Sequence, residues 1–139
     1  MNLNKHYIHS YNLIKASEML GITEEEQDIV ANVARYHSTQ VPQPSHENYW
    51  QLRSRNRVIT AKLVAIIRIA DALDHSHRQK INHLTIALKG ESMVIKGESV
   101  EETLLEEWAF EVKSEFFQEV FGIRPQLKVK RKMAHAENV

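Results

Sequence analysis

Residues 62–78 read Lys-Leu-Val-Ala-Ile-Ile-Arg-Ile-Ala-Asp-Ala-Leu-Asp-His-Ser-His-Arg. They lie in a helix predicted from about Arg55 to Gln79. Between Val58 and Leu73 that helix is apolar on most faces, the pattern of a central, buried rod. At 100° per residue, Arg57, Arg68, Asp71, His75 and Arg78 fall within a sector of roughly 80°. They form a narrow polar seam, and a buried seam has to find partners. Three kinds of partner fit. Asp71 can pair with a buried Arg or cap a neighbouring helix. Arg68 and Arg78, with a His, can hold a phosphate-type anion, because the planar guanidinium grips phosphate with two parallel hydrogen bonds. Asp71 with His37 and His9 can ligate a first-row metal. The seam alone does not choose among them.

Upstream of the rod the chain also reads as helical. Asn4 to Leu20 carries Tyr7, Tyr11, Leu13, Ile14 and Leu20 at mostly helical spacing. Gly21 is a natural stop. Thr23 with Glu26 fits a capping box, and Glu24, Glu25 and Glu26 would complement the helix dipole. That second helix is expected to run to about Tyr36. Ser38 to Asn48, with Pro42 and Pro44, reads as a surface loop.

Downstream the period changes. His83 to Lys89 alternates, with Leu84, Ile86 and Leu88 on one side. Gly90 and Glu91 turn the chain into a short return strand, Met93 to Lys96. Val100 to Phe121 is amphipathic, and its stripe of Leu105, Trp108, Ala109, Val112, Phe116 and Val120 is expected to be core. Gln126 to Lys132 alternates again. The fold class is therefore α+β, mainly α: a helical segment (1–80), a β-β-α-β unit (81–132) and a frayed tail (133–139).

The chain has 139 residues, room for about one domain. Its 18 basic residues balance 18 acidic ones, which gives no global reason to bind nucleic acid or an anionic membrane. The balance hides segregation. Trp50 to Lys80 holds seven basic and two acidic residues, Glu91 to Glu119 nine Glu and two Lys, and Arg124 to Lys132 five basic residues and no acid. There is no cysteine, so disulfides, thiolate zinc sites and cysteine nucleophiles are excluded. The longest apolar run is Leu63 to Ile67, far short of the ~20 residues that span a bilayer. Nothing near Met1 resembles a signal peptide, and a cytoplasmic location is expected. The glycines stand alone, so no Gly-rich phosphate loop is present.

Three stretches together carry a family resemblance: His9-Ser10-Tyr11-Asn12-Leu13-Ile14, Val33-Ala34-Arg35-Tyr36-His37, and Lys62 through His77. They resemble the C-terminal region of the exopolyphosphatase / guanosine pentaphosphate phosphohydrolase (Ppx/GppA) family, over about residues 6–132. The resemblance implies an HD-like helical segment. His9, His37 and Asp71 look like the last three members of the HD metal-ligand signature, but the chain contains no His-Asp doublet. It therefore implies no cofactor or metal in this chain alone, with His37 and Asp71 vestigial or structural. It implies an accessory region of a phosphoanhydride hydrolase, not catalytic by itself. Such a region would bind polyphosphate or guanosine pentaphosphate, with Arg35, Arg68 and Arg78 supplying charge, or join subunits as a homodimer. It implies neither a membrane nor a specific nucleic acid as partner. The alternative is an HD-type metal-dependent phosphohydrolase completed by a partner chain.

Overall fold

The computed structural model describes residues 6–133. The expectations for residues 1–5 and for the tail beyond Met133 lie outside the described residues, as does the His6 side chain. The order of elements is α1 (His6–Ala16), α2 (Glu24–Tyr36), α3 (Glu47–Trp50), α4 (Ser54–Leu73), β1 (Asn82–Lys89), β2 (Ser92–Ser99), α5 (Leu104–Phe121) and β3 (Arg124–Arg131). The class is α+β, mainly α. Two compact units divide the chain, 1–68 and 69–139, and their boundary falls inside α4.

In the first unit α1 and α2 pack as a hairpin. Gly21 makes the turn at a φ of 79°, where a side chain would be strained. Thr23 Oγ1 accepts the Glu26 N–H at 3.1 Å, and Glu26 Oε2 accepts the Thr23 N–H at 3.3 Å, which is the expected capping box. Gln27 Nε2 donates to the Ile14 and Ser17 carbonyls, both at 2.6 Å, and so satisfies the open end of α1. The predicted 38–48 loop gives way to α3 at Glu47. The core holds Ala31, Tyr36, Tyr49, Leu52, Val64 and Ala65.

Two expectations for the rod are corrected. It is not apolar-buried all round: Val58, Leu63, Ile66 and Ile67 are 39–54% exposed, whereas Thr60, Val64, Ala65 and Arg68 are buried. Only the inward stripe is covered. The helix also ends at Leu73 rather than Gln79. Turns follow, with His77 and Gln79 in the left-handed region at φ 56° and 51°. The seam therefore does not continue to His75 and Arg78.

The second unit contains the expected β-β-α-β arrangement. β1 pairs antiparallel with β2, and β2 pairs parallel with β3, giving the order β1-β2-β3. A parallel pair needs a crossover, and α5 supplies it. Register places Leu84, Ile86 and Leu88, Met93, Ile95 and Gly97, and Pro125, Leu127 and Val129 on one face. α5 packs along β3 and ends at Gly122, which has a φ of 68° and donates its N–H to the Gln118 carbonyl. Its buried side is Glu106, Ala109, Phe110, Ser114 and Phe117. The stripe expected as core is turned roughly a third of a turn away from this. Leu105 is 54%, Trp108 64% and Val112 48% exposed. α5 carries two apolar stripes, and the side that holds Ala109, Phe110 and Phe117 is the one buried.

Candidate functional site: an open basic sheet face

The face of the sheet opposite Ile95 carries Thr85, Lys96, Glu98, Lys128 and Lys130. Alternation along each strand puts these polar residues on one side. The parallel register then sets Lys96 beside Lys128 and Glu98 beside Lys130. His83 joins them from a register irregularity between Asn82 and Thr85, with its backbone in the left-handed region at φ 56°. Bulges of this kind re-aim a side chain. Together these groups line an open concavity of about 530 Å³.

The charges here do not cancel. Glu98 Oε2 accepts from Lys132 Nζ at 2.9 Å. That hydrogen bond, with smaller contributions from His83 and Lys130, holds the Glu98 carboxyl below the usual range. Lys96 and Lys128 have no ion-pair or hydrogen-bond partner among the described residues, yet they are neighbours across two strands. Like charges in that position destabilise a sheet unless an anion intervenes. The arrangement can hold a multiply charged anion laid along β3, where alternate lysines recur roughly every 6.6 Å.

The residues singled out in the sequence are placed differently. Arg68, 5% exposed, donates from Nη1 to the Tyr36 carbonyl at 3.1 Å and the Gln40 carbonyl at 2.9 Å. It ties down the chain leaving α2. Arg35 Nη1 donates to Asn48 Oδ1 at 2.7 Å, and its guanidinium lies 5.5 Å from the Tyr36 ring centre. Arg57 Nη1 donates to the Leu52 carbonyl at 2.7 Å. These contacts build a polar network between α2 and α3. In it Asn48 Nδ2 donates to Asn32 Oδ1 and to the Tyr36 hydroxyl, and that hydroxyl lies 2.8 Å from His46 Nδ1.

In the second unit Arg78 is exposed and pairs with Glu101 at 3.1 Å. His75 stacks edge-on against Trp108. Asp71 is half-buried and makes no side-chain hydrogen bond or ion pair among the described residues. His9 is exposed, and His37 Nδ1 lies 2.6 Å from the Ala34 carbonyl. No group of three or more His, Asp or Glu able to hold a metal occurs among the described residues. The polar seam is thus resolved into separate local contacts.

Sequence reasoning missed two features. The basic strand Arg124 to Lys132 reads from sequence as a contact for nucleic acid or polyphosphate, or equally as a solubilising edge; what the sequence does not show is that Lys128 meets Lys96, 32 positions away, through parallel pairing. Glu106 sits in a Glu-rich helix and looks like a surface residue. It is 1% exposed, and its Oε2 accepts the Ser76 N–H at 3.1 Å and the Ser76 hydroxyl at 2.9 Å. Lys80 Nζ lies 3.5 Å from its Oε1.

Fold and site together define a mainly helical α+β chain that ends in a small sheet with one open, cationic face. The chain belongs to the Ppx/GppA phosphatase family: the profile of that family's domain III matches residues 1–119. The match ends within α5, so β3 and its lysines lie beyond it. No curated protein matches the chain. Among the described residues no helix is long and apolar enough to cross a membrane.

Proposed function

We propose that the chain is an accessory region of a phosphoanhydride hydrolase of the exopolyphosphatase or guanosine pentaphosphatase type. It binds the anionic substrate, and does not hydrolyse it alone. Membership of a phosphatase family supports the substrate class. The observation that carries the reading is the Lys96–Lys128 pair, two adjacent cations on an open face with no carboxylate assigned to them. We therefore assign the anion to the sheet rather than to Arg35 or Arg68, whose Nη1 groups already donate to Asn48 and to backbone carbonyls. Arg78, paired with Glu101, is a weaker contributor, since exposed pairs yield readily to solvent.

The test is titration of inorganic polyphosphate into the 139-residue chain at several salt concentrations. Binding should weaken as salt rises. Lys96→Ala with Lys128→Ala should weaken it about tenfold, with stability unchanged within about 0.5 kcal/mol. Binding untouched by the double substitution would overturn the assignment. Phosphate release by the isolated chain, dependent on added Mn or Mg and abolished by Asp71→Ala, would favour a metal-dependent hydrolase instead.

A further inference from the structure

His83 stands on the open face of the sheet with no structural task. Its side chain makes no hydrogen bond and no ring contact among the described residues. Yet it lines two concavities, of about 530 and 220 Å³, and shares both with Glu98. Its backbone lies at φ 56°, a region that costs a residue bearing a Cβ about 1–2 kcal/mol. Strain of this kind persists only where the surroundings hold it, and it gathers at binding positions. Here it accompanies the register irregularity between Asn82 and Thr85. The charged groups that line the same concavities come from β2 and β3. They are Lys96 and Glu98 on the first, Lys128 and Lys130 on the second, and Lys132 just beyond it.

We infer that His83 is a further ligand residue of the anion face, and that its protonation tightens the hold on phosphoanhydride as pH falls. The inference rests on the anion site proposed above and adds its regulation. Histidine is the side chain whose ordinary change of charge falls between about pH 5 and 8. On the empty face Lys96, Lys128 and Lys130 oppose another positive charge. Glu98 favours one, but it already accepts from Lys132. An anion seated among the lysines removes that opposition. One of its oxygens can then accept a charge-assisted hydrogen bond from the imidazolium. Anion binding and protonation therefore favour each other by the same factor. Glu98 supplies no rival slope, because the Lys132 hydrogen bond holds its carboxyl below the usual range.

Calorimetric titration of long-chain inorganic polyphosphate into the 139-residue chain tests this. The internal phosphoryl groups of that ligand stay ionised throughout, so the ligand itself adds no slope. The Kd should fall about tenfold between about pH 8 and about pH 5.5 at low salt. Comparison of two buffers of different ionisation heat should show uptake of a fraction of a proton on binding. The chain has eight histidines, and His83→Asn isolates this one with a side chain that tolerates the left-handed backbone. It should bind as the wild type does at about pH 8, and lose both the slope and the proton uptake. His83→Lys should hold the tighter affinity across the range. Circular dichroism checks that each variant is folded. A slope that survives His83→Asn, or wild-type binding that is flat with pH, overturns the inference. So does a loss in His83→Asn that is equal at every pH, which would make His83 a structural residue. In each of these cases the anion site stands if Lys96→Ala with Lys128→Ala still weakens binding. Absence of binding at every pH overturns the site, and the inference with it.

Discussion

The arginines of the first unit and the lysines of the sheet are cations in opposite circumstances. Arg35, Arg57 and Arg68 donate to Asn48 and to carbonyls left open where helices end. Lys96 and Lys128 stand side by side on an open face with no partner among the described residues. A sequence presents both sets simply as positive charge. The guanidinium fork suits the first task, since it can satisfy more than one carbonyl from a buried position. The ammonium on its flexible stem suits the second, since it keeps its charge in water. Binding capacity follows from which cations the fold leaves unengaged.

Removing Arg68 presses hardest on this contrast. Arg68→Ala leaves the Tyr36 and Gln40 carbonyls without their donor in a buried site. The expected loss is about 3 kcal/mol in urea unfolding. Polyphosphate affinity of the folded protein should not change. A variant of near-normal stability that bound polyphosphate poorly would reverse the assignment and restore Arg68 as a ligand residue.

Glu106 sharpens the contrast from the other side, because the second unit also contains one internally engaged ion. Glu106→Ala frees the Ser76 N–H and hydroxyl and leaves Lys80, whose side chain is 11% exposed, without its carboxylate and with only the Glu102 carbonyl, 3.2 Å away, as acceptor. We expect a loss of about 2 kcal/mol. Hydrogen exchange at the Ser76 amide should speed up more than at amides in β2. Equal acceleration throughout the unit would mean that Glu106 holds the whole unit rather than the turn.

What could be read from the sequence was what neighbouring residues decide. The Thr23–Glu26 box, the Gly122 cap and the alternation of β1 and β3 depend on residues a few positions apart, and all are present. What could not be read depended on distant residues. Asp71 to His77 continues a helical pattern well enough, but Glu106, 30 positions from Ser76, captures the Ser76 amide in the turn that follows Leu73. The stripe of Leu105, Trp108 and Val112 looked like core because it is apolar. Where β3 lies decides which side of α5 is covered, and periodicity within the helix does not contain that. The polar sector was lost in the same way. Arg57, Arg68, Asp71, His75 and Arg78 share a sector only while the helix lasts.

The smallest effect expected here concerns proton binding within the network of the first unit. His46 Nδ1 lies 2.8 Å from the Tyr36 hydroxyl and accepts the Gln43 N–H at 3.3 Å, so the nitrogen serves as an acceptor and must be unprotonated. Burial, and secondarily the nearby Arg35 charge, hold the pKa of His46 below its ordinary 6.5. The unfolded chain therefore takes up this proton first as pH falls. The contribution of neutral His46 to stability is complete above 6.5 and declines from there downward. The urea midpoint should be lower at about pH 5.5 than at about pH 7.5, and His46→Gln should flatten that difference. A pH dependence unchanged in His46→Gln would show that the Tyr36 contact is not coupled to protonation.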